Sequence, residues 1–179
     1  MEVTFLRHGI AVDRSDPLCP PDIERPLTLD GKNRTEGVAR GLKAMGLRPF
    51  VILTSPYLRC VQTARVTAQV LGLTKKSVLA IECLAPEGDP RALWPEVAAI
   101  GDGPVLCIGH GGSLEPAAGI AIGLPMWTPD TPAGPDLAFR SLHLKKSGAL
   151  QLEVVFEPTL SAKLSWLMSP KLLRQLGRS

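Results

Sequence analysis

Val3-Thr4-Phe5-Leu6-Arg7-His8-Gly9 is the stretch from which the rest of the chain is read. An apolar strand delivers an Arg-His pair into a glycine turn close to the start of the sequence. Two later segments have the same form. Thr54-Ser55-Pro56-Tyr57-Leu58-Arg59 follows a short β-rich apolar run, and Leu106-Cys107-Ile108-Gly109-His110-Gly111 ends another. Together they supply Arg7, Arg59, His8 and His110, the group types needed to hold a phosphoryl group and attack it.

Working outward, the chain alternates strands with helices. Glu2 to Arg7 is the first expected strand, and residues 10 to 29 form a long connection carrying Pro17, Pro20, Pro21 and Pro26. A loop of that length in a compact domain is unusual and often functional. A helix is expected from Thr28 or Asp30 to about Met45, with Val38, Leu42 and Met45 on one face. Phe50 to Thr54 reads as a strand covered on both faces. Ser55 and Pro56 then suit the cap and first position of a helix running to about Leu71. Further strands are expected near Ser77 to Ile81 and Pro104 to Gly109, with helices over Pro90 to Ile100 and Ser113 to Ile122. Leu137 to Leu144 and Leu150 to Phe156 suggest an antiparallel hairpin around Lys146-Ser147-Gly148, and Pro170 to Leu176 a terminal helix. The pattern implies a three-layer α/β/α sandwich with a mainly parallel central sheet and an antiparallel edge hairpin. Ligands of such sheets bind at the carboxyl ends of the strands. Arg7-His8, Arg59 and His110 would all converge there.

The bulk numbers fit a single domain over residues 1–179 and exclude several function classes. Hydrophobic residues make up 45% of the chain and charged residues 21%, as in ordinary globular proteins. A net charge of +3 with only 4% aromatics argues against a nucleic-acid platform. The apolar run from Glu115 to Met126 is too short for a bilayer, so no membrane association is expected. No basic segment leads into an apolar one at the N-terminus, and Cys19, Cys60, Cys83 and Cys107 form no CxxC pair. The reading is a cytoplasmic protein with reduced thiols.

The chemistry follows from the residue types. Guanidinium groups grip phosphate oxygens through a rigid fork of donors. A neutral imidazole can attack phosphorus and carry the phosphoryl group covalently, while a second, protonated one donates to the oxygens. Arg7 and Arg59 are the expected clamps, His8 the nucleophile and His110 the second donor. Backbone N–H groups at Gly9 and Gly111 could complete the phosphate cradle. Other patterns fail. Cys19 to Arg25 spells C-x5-R, but Pro20 and Pro21 remove N–H donors, and Asp22 and Glu24 would repel an anion. There is no G-x-S-x-G, no P-loop and no GxGxxG, and His143 reads as structural. No metal and no cofactor is called for.

These segments also resemble a family. Leu6-Arg7-His8-Gly9 after the first strand, Ser55-Pro56 with Arg59 at a helix start and Gln62-Thr63-Ala64 following, and Gly109-His110 at a late strand end are similar to the histidine phosphatase superfamily. This is the group of phosphoglycerate mutases and their phosphatase relatives. The resemblance covers nearly the whole chain. It implies a phosphoglycerate mutase-like fold, phosphorylation of His8, and a phosphate surrounded by Arg7, Arg59 and His110. Within the superfamily the chain is most similar to SixA-type phosphohistidine phosphatases, by its compact length, the segment Leu84 to Asp89 and the tail Trp166 to Pro170. It departs from the mutase-like members, which carry Ser or Thr where this chain has Ala11, and which have a Glu acid after the second helix.

That departure bears on the substrate. An alkoxide leaving group needs strong protonation, typically worth roughly 10²–10⁴-fold in rate. An imidazole leaving group needs much less. Glu87 is the candidate acid, with Asp89 and Asp13 as alternatives. The expected activity is hydrolysis through phospho-His8, acting on a phosphohistidine-bearing signalling domain of a partner protein. The alternatives are a phosphomonoesterase for a small phosphorylated metabolite and a non-catalytic phosphate-binding protein on the same fold.

Overall fold

In a computed structural model, which describes residues 1–124 and 142–178, six strands form one sheet in the order β3-β2-β4-β1-β5-β6. They are β1 (Glu2–Arg7), β2 (Val51–Thr54), β3 (Val78–Ala80), β4 (Val105–Gly109), β5 (Ala149–Val155) and β6 (Ser161–Met168). Strands β3, β2, β4 and β1 are parallel, β5 is antiparallel to β1, and β6 is antiparallel to β5. Five helices are described: α1 (Leu29–Ala44), α2 (Leu58–Leu71), α3 (Leu93–Ala99), α4 (Gly111–Ala121) and α5 (Pro170–Leu176).

The alternation of side chains along each strand divides the core in two. Val3, Phe5, Val105 and Cys107 pack with Leu93, Trp94, Leu114 and Ala117 of α3 and α4. Leu6, Ile52, Leu106 and Ile108 pack with Val38, Leu42, Ala64 and Leu173 of α1, α2 and α5. The expected three-layer α/β/α sandwich is therefore present, with the central strands apolar on both faces because both are covered.

The antiparallel edge is built differently from the expected hairpin. Residues 137–141 of its first arm lie outside the described residues, and Leu142 to Leu144 are not in a strand. Lys145 to Gly148 instead form a turn that leads into β5, which pairs with β1 and with β6. The tail Trp166 to Met168 is thus the end of an edge strand. Its two faces are both partly exposed, so its sequence lacks the apolar signal that marks a central strand.

Helix starts also differ in detail. Thr28 caps α1 as expected, its side chain accepting from the Gly31 N–H at 2.9 Å. Ser55 does not cap α2, which begins at Leu58 after an extended Tyr57. Helix α4 begins at Gly111, two residues earlier than expected, because Ser113 acts as the reciprocal partner of its cap residue, His110. Residues 90–92 form a 3-10 turn ahead of α3.

Helix α5 seats on α1 at a glycine. A Cβ built on Gly41 would overlap the backbone carbonyl of Leu173, which has no freedom to move away. Gly41→Ala is therefore expected to push α5 off α1 and to cost about 1–3 kcal/mol, as overpacking does. Urea unfolding of the variant beside the wild type measures this.

Candidate active site

The register of the sheet brings the site together. Arg7 of β1 lies opposite Gly109 of β4, and Thr54 of β2 opposite Ile108. All three strands end at one level, so the residues that follow emerge side by side. The His8 N–H donates to the Gly109 carbonyl at 3.0 Å, and the Ser55 N–H to the Ile108 carbonyl at 2.9 Å. The rings of His8 and His110 then meet edge to face, with centroids 5.1 Å apart.

Each functional side chain is held by its neighbours. The Nδ1 edge of His8 lies 2.7 Å from the Gly9 carbonyl, which only accepts; Nδ1 therefore carries the hydrogen and Nε2 the lone pair. Gly9 is fastened in turn, its N–H donating to Thr63 Oγ1 at 3.1 Å. Arg7 Nη1 donates to the Leu144 carbonyl at 2.7 Å, and the Leu144 N–H donates to Glu115 at 2.7 Å. The Lys145–Gly148 turn locks against the same strand. Ser147, in the left-handed region at φ 60°, donates its N–H to the carbonyls of Arg7 and His8. Such a conformation costs roughly 1–2 kcal/mol outside glycine, so this contact is maintained against strain.

Arg59, only 1% exposed, joins the site from the first turn of α2. Its Nη1 donates to the Asp22 carbonyl at 2.6 Å and its Nη2 to the Asp22 carboxylate at 3.1 Å. Its Nη2 also lies 3.3 Å from His110 Nδ1, and the guanidinium stacks over the Tyr57 ring. Because Arg59 only donates, His110 accepts at Nδ1 and directs Nε2–H to Ser55 Oγ, 3.0 Å away. Two buried donors, Arg7 Nε and Arg59 Nε, have no hydrogen-bond partner among the described residues.

These groups line a cleft of about 390 Å³, together with Gly111 and Gly112 at the start of α4 and with Asp13, Arg14, Arg25, Pro86 and Lys146. A helix start with free N–H groups and cationic side chains around it favours an anion. Burial, with the charges of Arg59 and Arg7, lowers the His8 pKa to about 3 against the pull of its Gly9 bond. Burial and the charges of His8 and Arg59 lower His110 to about 3. Both rings are neutral at pH 7, so His8 offers a free lone pair without losing a proton first.

The sequence-derived candidates fall into two groups. Arg7, His8, Arg59, His110 and Gly111 are together. The Gly9 N–H is already committed to Thr63. Glu87 does not line the cleft; its carboxylate accepts from the Tyr57 hydroxyl at 3.1 and 3.2 Å. Asp89 accepts the N–H of Arg91 and is also away from the lining. Asp13 is in the lining. Asp22, expected to repel an anion, instead neutralises arginines: it pairs with Arg14 at 3.0 Å, Arg25 at 2.8 Å and Arg59 at 3.1 Å. Its side chain is partly buried, which alone would raise its pKa, but these partners lower it to about 2. The length of the loop is visible in the sequence, but this contact has no local sign there. Ser55 and Lys146 were likewise missed, since only the folded register brings them to the site. Among the described residues no three His, Cys, Asp or Glu side chains are grouped to hold a metal ion.

Comparison with known proteins finds relatives in sequence and in fold. A family model of the histidine phosphatase superfamily (branch 1) matches residues 3–81. An uncharacterized protein of a Picosynechococcus strain is 42% identical over 128 residues, covering 69% of this chain and 74% of that protein. The solved structure of the protein histidine phosphatase SixA with tungstate superposes with a TM-score of 0.78 at 25% identity, covering 97% of this chain and 99% of that one. A phosphoserine phosphatase variant of Entamoeba histolytica with phosphoserine superposes with a TM-score of 0.68 at 13% identity, covering 96% and 98%. The last shows likeness of fold alone.

The lowered histidines make a pH prediction. An unfolded histidine takes up its proton near about pH 6.5, whereas the folded His8 and His110 do so near about pH 3. The stability they contribute is full above about pH 6.5 and is lost progressively as the pH falls towards about 3. Imidazole NMR signals of His8 and His110 should stay flat from about pH 8 to about pH 5, where an ordinary histidine titrates. A midpoint near the free value of about 6.5 for either ring would contradict the assignment.

Proposed function

The chain belongs to the histidine phosphatase superfamily, and we propose that it hydrolyses a phosphoryl group through a covalent intermediate on His8, with a phosphohistidine of a partner protein as its substrate. The observation that carries the mechanism is the state of His8. It is neutral, its Nδ1–H is fixed on the Gly9 carbonyl, and its ring lines a cleft with Arg7 and Arg59, whose Nε donors lack partners among the described residues. Phosphoryl oxygens are the acceptors those donors require. His110 is kept neutral by burial and by the positive field around it, and the arriving anion offsets that field. A proton from solvent then enters at Nδ1, the Arg59 Nη2 hydrogen bond to that nitrogen is released, and both Nη2 and Nδ1–H are free to donate to the bound oxygens. Helix α4 adds the N–H groups of Gly111 and Gly112.

The preference for a P–N bond rests on the missing acid. An alkyl ester needs a protonated group beside its leaving oxygen. Glu87 is engaged by Tyr57 outside the cleft, and the Ser15 N–H and hydroxyl lower the pKa of Asp13. Transfer from one imidazole nitrogen to another needs no such donor. The described cysteines are all free, which suits the cytoplasm, and no described helix is long and apolar enough to cross a membrane. A small phosphorylated metabolite is the second reading, favoured by the cations Arg14 and Lys146 beyond the phosphate-holding groups.

His8→Ala should abolish turnover of phosphohistidine and aryl phosphate alike, by roughly 10³-fold or more, as loss of a nucleophile does. The wild type should trap an acid-labile, alkali-stable phosphoryl label that the variant lacks. Arg59→Lys should cost about 10²-fold in kcat, because one ammonium cannot reproduce the guanidinium fork. A substrate panel then separates the two readings: preference for one sugar or nucleotide phosphate over a phosphohistidine protein would overturn the first.

A further inference from the structure

Among the described residues Asp13 is the one carboxylate in the lining of a cleft otherwise fitted to an anion. A carboxylate there opposes phosphoryl binding unless something offsets it. Asp22 nearby has such an offset in its three arginine partners. Asp13 has no ion pair among the described residues. It receives two hydrogen bonds, from the Ser15 N–H at 2.9 Å and the Ser15 hydroxyl at 2.7 Å, and both fall on Oδ1. Its Oδ2 has no partner among the described residues. The charges of Lys146 and Arg25 reach Asp13 without contact, and with the Ser15 bonds they keep it ionised.

Its neighbours narrow what it can meet. Arg7, His8, Arg59, His110 and the start of α4 account for the phosphoryl group. The rest of the lining, where Asp13 sits, must face whatever that group is attached to. An ionised acceptor with a free oxygen suits a leaving group that carries an N–H and a positive charge, and opposes one that leaves as an anion. Resting on the P–N reading above, we propose that Asp13 accepts a hydrogen bond from the unphosphorylated ring nitrogen of the substrate's phosphohistidine and thereby selects a P–N over a P–O substrate.

The step balances without a proton from the protein. The substrate enters as a phosphoimidazolium, one ring nitrogen bonded to phosphorus and the other carrying hydrogen towards Asp13. The His8 Nε2 lone pair forms the new P–N bond. The old P–N bond breaks, and its electron pair returns to the substrate ring, which leaves as neutral imidazole with its N–H retained. His8 is left as a phosphoimidazolium whose Nδ1–H still faces the Gly9 carbonyl. The two rings exchange roles, each with its N–H on an oxygen acceptor.

The test compares kcat/KM on free phosphohistidine with that on para-nitrophenyl phosphate, and reads their ratio. Asp13→Asn keeps the shape but loses the charge, and the ratio should fall about tenfold or more, the difference between charged and neutral acceptors. Asp13→Glu, which restores the carboxylate, should hold the ratio within about threefold of wild type. A ratio in Asp13→Asn within about twofold of wild type, or above it, overturns the role while leaving the phosphatase reading intact. Wild-type protein that consumes the aryl phosphate but not phosphohistidine overturns both the P–N substrate and this role.

Discussion

The parallel pairing of β1 with β4 is the constraint on which the site depends. Each strand advances about 3.3 Å per residue, and neighbouring residues point to opposite faces. Placing Arg7 opposite Gly109 therefore determines both where His8 and His110 stand and which way they face. A slip of one residue would separate the two rings and exchange the faces of β1, sending Val3 and Phe5 into the layer under α1 and α2 and Leu6 into the layer under α3 and α4. The same contacts that bury the core thus hold the reacting groups. Backbone bonds at the strand end, from His8 to Gly109 and from Ser147 to Arg7 and His8, extend that rigidity one step beyond the sheet.

The second constraint is electrostatic. Arg59 is nearly inaccessible and cannot lose its charge, so it must be compensated inside the protein. Asp22 does this with both its carbonyl and its carboxylate, which ties the long proline-rich loop to the site. Burial first, and then the surplus of positive charge that remains, keeps both imidazoles unprotonated. A cleft with two neutral imidazoles and with guanidinium donors that lack partners among the described residues suits an anion, and binding one would change the field around both rings. Charge balance in this fold is therefore local: Asp22 answers the arginines, while Asp13 makes no ion pair among the described residues.

Much of this was legible in the sequence because it is local. Continuous apolar runs marked β1, β2 and β4, and the Thr28 cap and the 3.6-residue period marked α1. The residues Arg7, His8, Arg59 and His110 were recognisable because each follows such a run within a few positions. What failed was equally physical. Ser55 has the look of a helix cap, yet its hydroxyl is taken by His110, which no local rule anticipates. The edge strand β6 lacks a buried face and so lacks the pattern of a strand. Glu87 sits in the right segment but is turned to Tyr57.

By itself the sequence determined the layers, the order of the strands' chemistry and which candidate groups stand at the strand ends, since burial periodicity and side-chain type act over a few neighbouring residues. Only the tertiary structure decided the state of those groups. The tautomer of His8 depends on a carbonyl that the backbone turn at Gly9 presents. The neutrality of both rings depends on burial and on charges brought from strand ends and helix starts far apart in the chain. The choice among Glu87, Asp89 and Asp13 depends on which loop reaches the cleft. These are properties of distance and dielectric environment, and they exist only once the strands have paired in register.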